Sequence, residues 1–240
     1  MISVVMLQYN FNEELAVLTK SAIESINFSS PERELIIVDN ASTYGGAFAR
    51  SEADAYVKNK ENLGYPAGVN QGVALSHGEF IAIANNDIKV SPNWWEVAQE
   101  ILKDPEVGIV HFRMDGYDEE RPLGSETWIT GKERWCSSSF FVIRREAFQG
   151  YDEAYGAGGF DDYDHHTRMR AKGWKQAYTN KARFQHMDSI TYRTMEAQEA
   201  RALRDKKNKE YFKTKFGEYP DVMFAKAYPD QVSQPYMPFP

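Results

Sequence analysis

Several polar segments of this 240-residue chain have residue types and spacing that suit chemistry. Asn85-Asn86-Asp87 closes the short apolar run Phe80 to Ala84. A carboxylate held at a buried strand end is a natural ligand for Mg²⁺ or Mn²⁺ bridging two phosphates, and such an ion neutralises the charge that develops as a diphosphate leaves. The competing reading of the triplet by itself is a strand-terminating turn. Gly158-Gly159-Phe160-Asp161-Asp162-Tyr163-Asp164, running into His165, His166 and Arg168, sets three carboxylates within four positions. One of them could remove the proton from an attacking hydroxyl, a role that contributes about 10²- to 10⁴-fold in rate. The alternative is a solvated helix start, since helix N-termini favour acids and Asp164 and Arg168 form an i,i+4 pair. A helix N-terminus would also lower the pKa of such a carboxylate, which predicts a weakened base and late proton transfer.

Two further turns follow apolar runs. Asp39-Asn40-Ala41-Ser42 offers a carboxylate that can accept from a base ring N–H, and backbone near Gln8-Tyr9-Asn10 can line the same pocket; a turn or helix cap explains both equally well. The stretch from Asn62 through Gly64 and Asn70 to Gly72 combines glycines, which let backbone approach a ligand, with a helix start that favours phosphate. It is not a P-loop, because no Gly-Lys-Ser/Thr follows. His186 comes after the run Ala182 to Gln185, where a neutral imidazole suits a second metal ligand beside Asp87, although a lone histidine also serves packing. Trp94, Trp95, Trp128, Trp135 and Trp174 are candidates for stacking on a sugar face, with Trp128 and Trp135 favoured because they flank the least regular stretch, although most such aromatics serve packing.

Apolar, β-branched runs at Ile2 to Leu7 and Glu34 to Val38 fit strands buried on both faces. Between them, Leu15, Val17, Leu18, Ala22, Ile23 and Ile26 fall at helical spacing, with Asn12 as the cap. That is a βαβ unit. Strand candidates at Ala55 to Val57 and Phe80 to Ala84, with a helix before the latter ending near Ser76, extend the alternation into a doubly wound α/β sheet. Beyond it, Asn93 to Leu102 reads as a helix, Val107 to Phe112 and Ser138 to Ile143 as strands, and Asp162 to Lys172 as a helix ended by Gly173. A return strand near Lys175 to Tyr178 and a charged surface helix from Thr194 to about Phe216 complete the order. In such sheets ligands bind beyond the carboxyl ends of the strands, where the polar segments fall.

A net charge of -7 and a pI near 5.4 leave no positive field for nucleic acid, so none is expected as a partner. The single Cys136 cannot form an internal disulfide, which suits a reducing compartment. No apolar run approaches the roughly 18 residues of a membrane span, and no signal-peptide pattern opens the chain. The expectation is a cytoplasmic protein, at most peripheral to a membrane.

Taken in order, Ser3-Val4-Val5 to Tyr9-Asn10, Ile37-Val38-Asp39-Asn40-Ala41-Ser42, Asn62-Leu63-Gly64-Tyr65 to Asn70-Gln71-Gly72 and Gly78-Glu79-Phe80 to Asn85-Asn86-Asp87 form one series. Phe141 to Phe148, Tyr151-Asp152-Glu153, Asp161 to Asp164 with Arg168 and Gly173, His186 with Ser189, and Tyr211-Phe212-Lys213 to Gly217 continue it. From Ile2 to Gly217 the series resembles the family 2 glycosyltransferases of GT-A fold, especially the rhamnosyltransferase-like members. The resemblance implies a Rossmann-like, doubly wound mixed sheet flanked by helices, in one domain over residues 1–217. Residues up to about 110 would bind the nucleotide-sugar, those from about 111 would hold the acceptor and catalytic groups, and a proline-rich tail would follow over 218–240. The implied activity is an inverting, metal-dependent hexosyl transfer in polysaccharide biosynthesis. A sugar would pass from a UDP, dTDP or GDP sugar to a hydroxyl of a glycan or other acceptor, with Mn²⁺ or Mg²⁺ as cofactor.

By the same resemblance Asp39 contacts the base, Asp87 ligates the metal and Asp162 is the catalytic base. Tyr9, Asn10, Asn62, Gly64, Asn70, Asn85 and Asn86 fall on the nucleotide-sugar side, and Asp161, Asp164, Trp135 and Arg168 on the acceptor or supporting side. Asp161 occupies the family's usual Glu. Asn85 replaces the first Asp of the Asp-X-Asp motif, which favours a ribose or phosphate contact there, and His165 replaces a Leu on what would be the acceptor side. Two other activities compete. A sugar-phosphate nucleotidyltransferase would open with a glycine-rich segment carrying Arg and Lys, whereas this chain has Leu7-Gln8-Tyr9-Asn10. A sugar-nucleotide or glycan binding module without turnover would have no use for Asp87, Asp162 and His186 together.

Overall fold

The computed structural model of the chain describes residues 1–30, 32–115, 127–130, 138–187, 198–220 and 222–223. Trp135, Ser189 and the tail beyond Met223 lie outside them, and Trp128 is described only as a member of a strand.

The first half alternates as expected: β1 (Ile2–Gln8), α1 (Glu13–Ser29), β2 (Arg33–Asp39), α2 (Gly46–Glu52), β3 (Ala55–Lys58), α3 (Tyr65–Leu75) and β4 (Phe80–Asn85). Asn12 caps α1 by accepting from the Leu15 N–H at 2.9 Å, and Leu15, Ala22, Ile23 and Ile26 form its buried stripe. Burying each of the larger ones contributes about 2 kcal/mol. The second half contains β5 (Ile88–Val90), α4 (Trp94–Ile101), β6 (Val107–Asp115), β7 (Thr127–Thr130), β8 (Phe140–Arg144), α5 (Asp161–Ala171), β9 (Lys175–His186) and α6 (Gln198–Phe216).

Among the described residues, nine strands join one mixed sheet in the order β3-β2-β1-β4-β8-β6-β9-β5, with β7 also paired to β9. The strands from β3 to β4 run parallel, and β8 turns the sheet antiparallel against both β4 and β6. One face packs Val4, Met6, Ile37 and Ala82 against Ile23 of α1 and Trp94 of α4. The other packs Val5, Ile36 and Ile83 against Val69 of α3 and Met169 of α5.

Two expectations about glycines change here. Gly68 and Gly72 lie inside α3 and face β1, where a Cβ would meet the side chains of Leu7 and Val5 at 2.3 Å each. They allow close helix–sheet packing rather than approach to a ligand. Gly64 has φ +86, and a Cβ on it would fall 2.1 Å from the carbonyl oxygen of Gly156, so it seats the 62–64 loop on the loop before α5. The other tryptophans are packing residues: Trp94 is fully buried with its indole N–H donating to Ser29 at 2.8 Å, Trp95 lies against Phe80, and Trp174 packs in the core. No helix among the described residues is long and apolar enough to cross a membrane.

Candidate active site

The carboxyl ends of β1, β2 and β4 are neighbours by register, with Gln8 beside Asp39 and Leu7 beside Asn85. Here Asp39 is fully buried and heavily engaged. Its Oδ1 accepts the Ser42 N–H at 2.6 Å, its Oδ2 accepts the Tyr56 hydroxyl at 2.5 Å, and Lys58 Nζ stands 3.6 Å away. Burial, then the Asp39 bond, pushes the Tyr56 phenol above its usual range, so it remains a donor. The turn forces Ala41 to φ 72, an uncommon conformation for a residue with a Cβ.

Most of the asparagines on this side bond to the chain itself. Asn10 and Asn86 are both buried, and Asn86 donates to the Asn10 Oδ1 at 2.9 Å and to Thr19 at 2.8 Å, locking β4 to β1 and α1. Asn62 accepts from Asn40 and from the Gly64 N–H, both at 2.9 Å. Asn70 exchanges bonds with the Tyr151 backbone and donates to Glu153 at 2.9 Å, so it fastens α3 to the turn at 151–153. Tyr9 is half-buried and stacks at a tilt on Phe11.

Asn85-Asn86-Asp87 forms the tight step from β4 into β5. Because β5 pairs antiparallel with the end of β9, Ile88 opposite His186, the step brings two distant parts of the chain together. Asp87 Oδ1 lies 3.1 Å from His186 Nε2, and the Met187 N–H donates to the Asp87 carbonyl at 2.9 Å. Asn85 Nδ2, a donor, stands 3.5 Å from the same ring nitrogen, and Ser139 Oγ lies 3.3 Å from His186 Nδ1. The ring thus has Asp87 and Asn85 beside Nε2 and Ser139 beside Nδ1, and either tautomer satisfies the Ser139 contact, since a hydroxyl both donates and accepts. A histidine nitrogen and a carboxylate oxygen this close either share the ring proton or, with Nε2 deprotonated, are both ligands for one divalent ion. Their separation fits one: ligands at right angles, about 2.1 Å from an octahedral ion, stand about 3.0 Å apart. Among the described residues no cluster of three His, Cys, Asp or Glu could hold a metal, so an ion here takes its remaining ligands from elsewhere.

The acidic cluster starts α5. Gly158, Gly159 and Phe160, with φ 114, 91 and 70, turn the chain sharply into the helix. The Asn208 amide of α6 holds this turn by donating to the carbonyls of Tyr155, Gly158 and Gly159 at 3.0–3.1 Å. Asp164 is buried and saturated: Arg168 Nε at 2.5 Å, Lys215 Nζ at 2.6 Å and the Tyr155 hydroxyl at 3.3 Å surround it. Arg168 also donates to the carbonyls of Gln149 and Gly150, so the pair ties α5 to its approach loop.

Asp162 has less. Its Oδ2 accepts from Ser138 Oγ at 3.1 Å and its Oδ1 from the Tyr163 N–H at 2.8 Å, and no cation pairs with it among the described residues. Burial raises its carboxyl above the usual range. Asp161 is pushed up to about 7, first by burial and then by the charge of Asp162. The expected lowering by the helix N-terminus is thus overturned, because desolvation outweighs it at both carboxyls.

His165 also departs from expectation. It is fully buried, stacked on Tyr151 at 4.9 Å, and accepts the Gln149 N–H at 3.2 Å, so it faces the core and not an acceptor. Burial drives its pKa down to about 3.

Sequence reasoning missed Tyr56, Lys58, Ser138, Ser139 and Asn208. The alternation Tyr56/Lys58 beside Asp39 was a usable signal once β3 was paired in register, with Lys58 opposite Asp39. Asn208 is a weak helix former amid lysines, a mild hint of a special role.

Residues 3–212 match the family described as glycosyl transferase family 2. The uncharacterized protein y4gI of Sinorhizobium fredii is 24% identical over 219 residues, covering 76% of this chain and 24% of its own, so the chain spans about a quarter of that relative's length. S. aureus TarS 1-349 in complex with UDP has a TM-score of 0.67 at 12% identity, covering 98% of this chain and 72% of that one. The mannosyltransferase PcManGT from Pyrobaculum calidifontis, in complex with GDP-Man and Mn²⁺, has a TM-score of 0.66 at 19% identity, covering 95% and 69%. At these identities the two structures establish a shared fold. With the family matched across both the β4 step and the acidic cluster, the chain belongs to glycosyl transferase family 2 and carries the GT-A fold.

Proposed function

We propose that this protein transfers a sugar from a nucleoside-diphosphate sugar to an acceptor hydroxyl, with inversion and with a divalent ion. The observation that carries the reading is the close approach of Asp87 Oδ1 and His186 Nε2 at the end of β4, with Asp162, with which no cation pairs among the described residues, reached through the adjacent residues Ser138 and Ser139. The Mn²⁺ in the PcManGT complex and the UDP in the TarS complex agree with it.

In this reading Asp87 and His186 hold Mn²⁺ or Mg²⁺, which offsets the charge on the departing diphosphate. Asp39, with Tyr56 and Lys58, shapes the base pocket, Tyr9 lines it, and Asn85 contacts ribose or phosphate. Asp162 takes the proton from the acceptor hydroxyl as its oxygen bonds to the sugar C1 and the bond from C1 to the diphosphate oxygen breaks. A carboxylate raised by burial is a better base than an exposed one, provided that it is ionised at the working pH. Asp161, pushed up to about 7, retains a proton near neutrality and spares Asp162 a second adjacent charge.

A thermal-shift screen of UDP, dTDP and GDP sugars with Mn²⁺ tests the donor, since a ligand that binds only the folded state raises Tm by mass action. One base class should raise Tm with Mn²⁺ and much less with EDTA. The absence of a shift with any nucleotide-sugar would contradict the reading.

A further inference from the structure

We propose that the consecutive residues Ser138 and Ser139, at the entry to β8, are a positioning pair that serves both halves of the reaction from one point of the backbone. The inference rests on the reading that Asp87 and His186 hold the ion and Asp162 is the base. Ser139 faces the metal side, where its hydroxyl meets His186 Nδ1 at 3.3 Å and its carbonyl accepts the Asn85 N–H at 2.8 Å. Ser138 faces the catalytic side, where its hydroxyl donates to Asp162 Oδ2 at 3.1 Å and its carbonyl accepts the Tyr65 hydroxyl at 3.2 Å.

The chain bends at both residues just before β8, which lets neighbouring hydroxyls reach different partners. The chemistry explains why the residue is Ser. For Nε2 of His186 to present a lone pair to the ion, Nδ1 must carry the ring proton, and the Ser139 hydroxyl stands where it can accept that proton and hold the ring angle. At Asp162 the hydroxyl holds one carboxylate oxygen without adding positive charge. A Lys or Arg there would lower the pKa that burial has raised. The two carbonyls, accepting from the Asn85 N–H and the Tyr65 hydroxyl, anchor the pair to β4 and α3 in the middle of the sheet.

The test is a titration of the full chain with Mn²⁺ alone, free ion being followed by electron paramagnetic resonance, on the wild type and on S139A, S139T, S138A and H186A. S139A should bind Mn²⁺ about tenfold more weakly with Tm unchanged, the size expected for loss of a partner behind a metal ligand. S139T should restore the affinity, and S138A should match the wild type. S138A should instead lower kcat for nucleoside-diphosphate release while leaving KM for the donor unchanged, with recovery in S138T. If S139A binds Mn²⁺ like the wild type while H186A does not, the positioning role of Ser139 is wrong and the metal reading stands. If H186A keeps wild-type affinity, or the wild type binds no Mn²⁺, both are wrong.

Discussion

The turn after β2 and the corner before α5 are built alike and loaded differently. Each lies at the site, and each carries one of the two non-glycine residues with positive φ among the described residues, Ala41 in the first and Phe160 in the second. Such strain persists where surrounding structure over-determines it, and it marks functional loops. In the turn, Asp39 is satisfied by a backbone N–H, a tyrosine and a lysine. At the corner, Asp162 has a backbone N–H and a serine, and burial raises it. Asp164, two positions on, repeats the Asp39 pattern with Arg168 and Lys215. Among the described residues, the number and charge of donors separates Asp39 and Asp164 from Asp162, the proposed base.

Breaking the satisfied class should cost stability. Asp164→Ala leaves Arg168 and Lys215 without their buried partner, and should lower unfolding free energy by about 3 kcal/mol in urea melts. Turnover by the remaining folded fraction should stay near normal; a selective loss of turnover would put Asp164 in the chemistry. At the metal side, Asp87→Ala should weaken donor binding on the order of a hundredfold with Mn²⁺ and little with EDTA, as read by calorimetry. Equal loss in both conditions would make Asp87 a turn residue.

The buried histidine sharpens the contrast through pH. His165 is held neutral with a pKa near 3 against about 6.5 unfolded, so its environment favours the deprotonated form. Its stability contribution is intact above about 6.5 and is lost as pH falls towards 3. At pH 5 the cost is about 2 kcal/mol, and His165→Leu should recover that much relative to its effect at pH 7.5. Asp161 works oppositely, since its raised carboxyl favours the fold at low pH and loses that contribution as pH rises through about 7. A pH-independent effect of the leucine would contradict the burial argument. The smallest change is expected at Tyr56→Phe, which removes one of several donors to Asp39 and should cost about 1 kcal/mol with no loss of kcat.

Much of this was legible in the sequence. The parallel strands are buried on both faces, so β1, β2 and β4 read as continuous apolar runs, and α1 announced itself by its stripe and its Asn12 cap. The β5 strand escaped notice because Ile88–Val90 is only three residues long with an exposed Lys89. The long β9 read as two pieces because Asn180 and Lys181 interrupt it near a register shift against β6. Glycine spacing at 64, 68 and 72 suits a ligand loop as well as a helix packed on a strand, and only the Leu7 and Val5 contacts decide between them. Ser138 and Ser139 read only as the start of a strand, and their roles stayed hidden because their partners, Asp162 and His186, are distant in sequence. For the same reason the pairing of Asp87 with His186 could be suspected but not located before β5 was seen against β9.

The most direct measurement is release of nucleoside diphosphate by Asp162→Asn at saturating donor and Mn²⁺, with donor affinity measured in parallel. The loss of a positioned base predicts a fall in kcat on the order of 10³-fold, with Kd for the nucleotide-sugar within about twofold of wild type. Normal turnover in that variant would show that Asp162, with which no cation pairs among the described residues, is not the base.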